Sequence, residues 1–60
     1  MNTFTTMKEA IEYVETALQE FQRDYDTESI AREMTAWEDG KLVMIADSNE
    51  FWQIVMNNER

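Results

Sequence analysis

The sequence contains no cysteine, no histidine and no proline, and its single glycine is Gly40. Without cysteine there is no disulfide, and without cysteine and histidine the common soft-metal sites are excluded. Cys–His and Ser–His nucleophilic catalysis falls with them, because an activated nucleophile needs a base beside it. Ser29 and Ser48 have no evident base in the sequence, and no glycine-rich elbow or phosphate-binding loop is present. Long apolar runs are missing too. The longest, Leu42 to Ala46, falls far short of a membrane span. The opening residues 1–6 show no basic region followed by an apolar stretch, so no signal peptide is expected. The lack of proline and scarcity of glycine argue against linkers and low-complexity segments, and no internal repeat is visible. A cysteine-free chain suits a reducing compartment, and the expected location is cytoplasmic.

Sixty residues make one small acidic domain, 1–60. A chain of this length buries only about 60% of its unfolded surface. Its core then supplies roughly 3–5 kcal/mol of stability. With disulfides and metals excluded, reinforcement has to come from efficient helix packing or self-association, and a monomer or weak homodimer is expected. Thirteen acidic residues stand against five basic ones, a formal net charge of −8. Such a charge keeps a small domain soluble. It also repels nucleic acid and anionic membrane surfaces and attracts basic ones. The expected partner is therefore a basic nucleic-acid-binding protein or complex, with no direct contact to nucleic acid or membrane.

Phe4, Met7, Ile11, Val14, Leu18, Phe21 and Tyr25 recur at spacings of three and four. That period predicts an amphipathic helix from about Met7 to Asp24, with the stripe as one face of the core. Thr6 fits as its N-cap, with Glu9 reaching back in a capping box. Asp26 is a good second N-cap, and Tyr25 with Ile30 makes a hydrophobic staple. Ile30, Met34 and Trp37 then line the inner face of a second helix from about Thr27 to Glu38, which Gly40 ends as C′ residue. Lys41 to Ala46 is short, apolar and partly β-branched, and reads as a strand. Its only extended partner outside the last segment is Asn2–Thr5.

The last segment, Ser48 to Asn58, favours a third helix. Asp47 and Glu50 form a capping-box pair, Ala46 and Phe51 a staple, and Phe51, Ile54 and Val55 share a face. The alternative is a hairpin of Phe51–Met56 back onto Lys41–Ala46, since the run is rich in strand formers. Asp39-Gly40 is also a turn signal that opens a third strand upstream. The expected fold is thus mainly α: two amphipathic helices, a short extended segment and a third helix. The alternative is α+β with a C-terminal β-hairpin.

Asp24-x-Asp26-x-Glu28 resembles the opening of a calcium loop, but position 6, which needs glycine, is Ser29, and position 12, which needs a bidentate glutamate, is Thr35. No metal and no cofactor are expected, and paired carboxylates on so small an acidic chain carry no sign of acid–base chemistry, so the chain is not expected to be an enzyme. Trp37 is assigned to the core. Trp52 and Met56 lie beside the third helix's inner face, which makes them the better candidates for a partially exposed apolar contact.

The carboxylates are the most informative feature. On the first helix Glu9, Glu12, Glu20 and Asp24 lie opposite the apolar stripe, at spacings of about 5–6 Å between neighbours. Glu20 and Asp24 form a like-charge pair in the C-terminal half, where the helix dipole favours cations. Glu38 and Asp39 repeat the arrangement. Residues that break a local rule without visible compensation are candidates for function. A tiny, cysteine-free acidic chain with Glu9, Glu12, Glu20, Asp24, Asp26 and Glu28 along its helices resembles the DNA-mimic inhibitors of phages and mobile elements, including anti-CRISPR and anti-restriction proteins. The ending Asn49-Glu50-Phe51-Trp52-Gln53-Ile54-Val55 also looks like small proteins of actinobacterial phages. The resemblance implies inhibition of a nucleic-acid-binding host complex through an acidic surface, without a cofactor. The alternative is a small helical adaptor or antitoxin-like module that assembles through an apolar face.

Overall fold

Thr6 adopts extended backbone and its hydroxyl accepts the Glu9 N–H at 3.3 Å, which starts helix α1, Met7–Leu18. The Glu9 carboxylate reaches one residue further back than a capping box requires and accepts from Thr5 N at 2.7 Å. The computed structural model describes residues 2–60. Ala10, Val14 and Leu18 are the buried residues of α1, spaced by four along one face.

The first helix is shorter than its periodicity predicts. Gln19 has φ +53°, a left-handed conformation, and the chain continues as a 3-10 segment, Gln19–Asp24. The stripe drifts out of register there, because a 3-10 helix turns every three residues and not every 3.6. Phe21, expected in the core, is 59% exposed.

Asp26 caps α2, Thr27–Met34, by accepting from Ser29 N at 3.2 Å, and Tyr25 and Ile30 meet the same core as the staple requires. This helix also ends early. The β-branched Thr35 turns into strand β2, Thr35–Glu38, and its buried hydroxyl donates to Ala31 O at 2.7 Å. That bond satisfies one of the carbonyls a helix end leaves open. Gly40 is therefore not a helix stop. Asp39 and Gly40, at φ +50° and +77°, form the two-residue turn of a β-hairpin. Two positive φ values are what the I′ turn demands, and they give the strands the right twist.

Strand β3, Lys41–Met44, is the centre of a three-stranded antiparallel sheet. It pairs with β2 in the register Ala36↔Val43 and Trp37↔Leu42, and with β1, Thr3–Phe4, in the register Thr3↔Val43 and Phe4↔Leu42. Of the residues 41–46 read as strand, 41–44 form one and pair with the N-terminus; the C-terminal hairpin does not form, and the hairpin present lies at the Asp39-Gly40 turn signal, with its strand upstream. The fold is helix-rich with a small sheet, an α+β arrangement in which a mainly α reading holds only in part.

Helix α3, Ser48–Asn57, starts from a complete capping box: Asp47 accepts from Glu50 N at 2.8 Å and Glu50 accepts from Asp47 N at 3.2 Å. The capping and the Phe51/Val55 face prevail over the strand propensity of the same residues. Its exit is tied down by backbone bonds from Asp26 N to Asn58 O, 2.9 Å, and from Arg60 N to Asp24 O, 2.8 Å, around an antiparallel bridge between Tyr25 and Glu59.

Leu42 brings the sheet into one core with Val14 and Leu18 of α1, Ile30 and Met34 of α2, and Phe51 and Val55 of α3. Trp37 lies in the same cross-strand row as Phe4 and Leu42 but at the edge strand, outside that core, and is 60% exposed. Its assignment to the core depended on a helical turn that is strand here. Among the described residues no helix is long and apolar enough to cross a membrane.

Candidate functional site

The six carboxylates singled out along the chain do not form one row. Three have local structural work. Glu9 closes the first turn of α1, Asp26 caps α2, and Glu28 pairs with Arg32 at 3.1 Å, four residues on. The other three, Glu12, Glu20 and Asp24, are exposed and make no such contact among the described residues. The break at Gln19 also changes the relation of Glu20 to Asp24. They are no longer stacked one α-turn apart, and Glu20 now lies in the first turn of the 3-10 segment.

What the fold does assemble is a polar patch around Gln19 and Gln22. Glu12, Glu15 and Thr16 of α1 border it on one side, and Glu20 and Arg23 on the other. Gln22 Nε2 donates to Gln19 O at 3.1 Å and holds the turn. Glu15 was missed in the sequence, although its i, i+3 relation to Glu12 put it within reach.

Ser29 has a carboxylate neighbour that the sequence did not disclose: its hydroxyl donates to Glu33 Oε2 at 3.2 Å. The same oxygen accepts from Asn58 Nδ2 at 2.8 Å, so Glu33 stitches α2 to the end of α3. Neither Ser29 nor Glu33 lines a described cavity. The Asp24-x-Asp26-x-Glu28 run is likewise absorbed into the capping of α2, and the described residues contain no cluster of three or more candidate metal ligands.

The second feature is apolar. Trp52 is 50% exposed and Met56 74% exposed on the outer face of α3, as their positions beside Phe51 and Val55 require. A depression of about 200 Å³ runs from Trp52 and Met56 to Phe21 and Tyr25, floored by Leu18 and Val55. A wider one of about 660 Å³ lies beyond, between Tyr13, Ile45, Glu50 and Trp52. The two adjoin at Ala17 and Trp52, which line both, and together they make up the trough between α1 and α3. An edge-to-face chain of rings, Phe4–Tyr13–Phe51–Trp52, holds the Trp52 indole in place, with centroids 5.6, 6.2 and 5.0 Å apart.

The sequence places Phe21 in the core and Ile45 within the apolar strand of residues 41–46. Both belong to this exposed trough because the α-helical register stops at Leu18 and strand β3 at Met44. No protein-family model, curated protein or solved structure matches the chain.

Proposed function

We propose that this protein is a non-catalytic binding protein that inhibits a nucleic-acid-binding complex by covering its basic surface, as the DNA-mimic inhibitors of phages and mobile elements do, anti-CRISPR proteins among them. The observation that supports the reading is uncompensated charge. Thirteen acids face five bases, and the described residues contain one ion pair, Glu28–Arg32. The remaining carboxylates have no cationic partner among the described residues, so their charge is available to attract a cationic surface. Glu12, Glu20 and Asp24 are the residues that carry the role. Glu9, Asp26 and Glu28 contribute charge while holding the helices. The target is a basic nucleic-acid-binding protein, the site of action the cytoplasm, and no cofactor takes part.

The test is competition. Fluorescently labelled DNA or RNA bound to a basic effector complex is titrated with the protein at low and high salt. Displacement at low salt, lost at high salt, supports the reading. Direct binding of the protein to the nucleic acid, or no displacement from any such complex, removes it.

A second reading, a small helical adaptor or antitoxin-like module, is favoured by the trough between α1 and α3. Exposed apolar side chains gathered in one place on a small domain mark contact surfaces more often than scattered ones do.

A further inference from the structure

We propose that the trough between α1 and α3 docks a cationic amphipathic helix of a partner protein. The inference rests on the adaptor reading and names the occupant. Of the exposed large apolar residues, Tyr13, Phe21, Ile45, Trp52 and Met56 all line the trough, and Trp37 alone lies elsewhere. The walls are mainly helical. At the narrow end they are α1, the 3-10 segment and α3; at the wide end Met44 and Ile45 also line the trough, and their N–H groups are already bonded to Asn2 O and Met34 O. An extended peptide would find no run of unpaired N–H groups along these walls and would leave most of its own backbone unpaired. A helix satisfies its backbone internally and brings apolar anchors at i, i+3, i+4 and i+7. Ten residues of α3 run for about 15 Å, enough to meet an i to i+7 stretch of about 10 Å.

Charge decides between a partner and a second copy. Asp47 and Glu50 line the wide end, Glu20 precedes Phe21 and Asp24 precedes Tyr25 in the chain, and Glu59 is bridged to Tyr25 at the narrow end. Arg23 and Arg60 are the basic residues on the same segments. The surround is acidic, and every copy of the chain carries −8, so two copies repel one another where lysines and arginines flanking an apolar stripe are attracted.

The probe is a set of synthetic peptides of about 18 residues, five helical turns. One carries leucine at i, i+3, i+4 and i+7 with lysine elsewhere. A second has the same composition scrambled, so that no face is apolar. A third keeps the leucine pattern with glutamate for lysine. A Trp37→Phe background leaves Trp52 as the single indole. The patterned lysine peptide should saturate at one per protein, shift Trp52 emission to the blue, and bind about tenfold or more tighter than the scrambled peptide. A Phe21→Ser/Met56→Ser variant, both positions being exposed, should keep its melting temperature and lose about tenfold in affinity. Equal binding of patterned and scrambled peptides would mean charge alone and overturns the inference. Equal binding of the leucine–glutamate helix keeps the trough as a binding site but overturns its cationic occupant. No response of Trp52 to any peptide, or a dimer in sedimentation that already buries it, overturns both the inference and the adaptor reading.

Discussion

The side-chain amide of Asn58 donates to the carboxylate of Glu33 at 2.8 Å and to Ile54 O at 2.8 Å, so one residue caps α3 and fastens it to α2. The contact to Glu33 spans 25 positions of a chain with no disulfide. Few other side-chain bonds reach so far in this fold, most being confined to three or four residues. Asn58→Ala should therefore lower stability by about 1 kcal/mol, or ~4–8 °C in melting temperature for a domain this small. Asn58→Asp should cost more at neutral pH, because it sets a second carboxylate against Glu33. Thermal melting followed by circular dichroism decides it, and equal melting of the parent and both variants would show the tie to be idle.

The hairpin turn gives a second expectation. Gly40 sits at φ +77°, and a Cβ built there meets nothing within 4 Å. The penalty of Gly40→Ala is then conformational and not steric crowding, about 1 kcal/mol. Chemical denaturation should show a lower midpoint with an unchanged slope. A neutral result would mean that the turn relaxes out of the I′ conformation without loss.

Gln19 predicts a change of the opposite sign. Its φ of +53° is one that a residue with a Cβ rarely adopts, yet its side chain is exposed. Gln19→Gly removes the strain and should raise stability by roughly 0.5–1 kcal/mol, even though the unfolded chain gains freedom. Loss of stability in the same melting assay would show that the glutamine makes a contact worth more than the strain.

Gln19 also marks where sequence reasoning stopped. The caps were legible: Thr6, Asp26 and Asp47 each accept the N–H that their position demands, because capping is a local interaction between residues three apart. The third helix and the strand at residues 41–44 were legible for the same reason. The ends of α1 and α2 were not. Nothing local announces a left-handed glutamine, and Thr35–Glu38 becomes strand because β3 offers it a ladder, a tertiary effect that overrides a helical apolar period. The candidate site followed these errors. Trp52 was placed correctly on the outside of α3, whereas Phe21 and Trp37 were drawn into the core by helical turns that do not exist. The row of Glu9, Glu12, Glu20 and Asp24 needs one continuous helix and breaks where α1 ends at Leu18, while Glu9, Asp26 and Glu28 hold local contacts of α1 and α2.

The acidic surface yields the last prediction, and the structure narrows the variant that tests it. Reversing Glu9 would remove the acceptor for Thr5 N, and reversing Asp26 or Glu28 would break the cap or the ion pair of α2, so lost binding could be lost structure. Glu12, Glu20 and Asp24 are exposed and free of those duties. Glu12→Lys/Glu20→Lys/Asp24→Lys should fold with a melting temperature close to that of the parent. Under the mimic reading it should lose its competition with nucleic acid, because three attractive charges become repulsive at the contact. The parent should itself compete less well as salt rises, since the Debye length falls from about 10 Å at 0.1 M to about 3 Å at 1 M. Trp52→Ala, outside the polar patch, should matter less in this assay. If the triple-lysine variant stays folded and competes as well as the parent, the acidic surface is not the binding surface. A loss confined to Trp52→Ala would then transfer the function to the trough between α1 and α3.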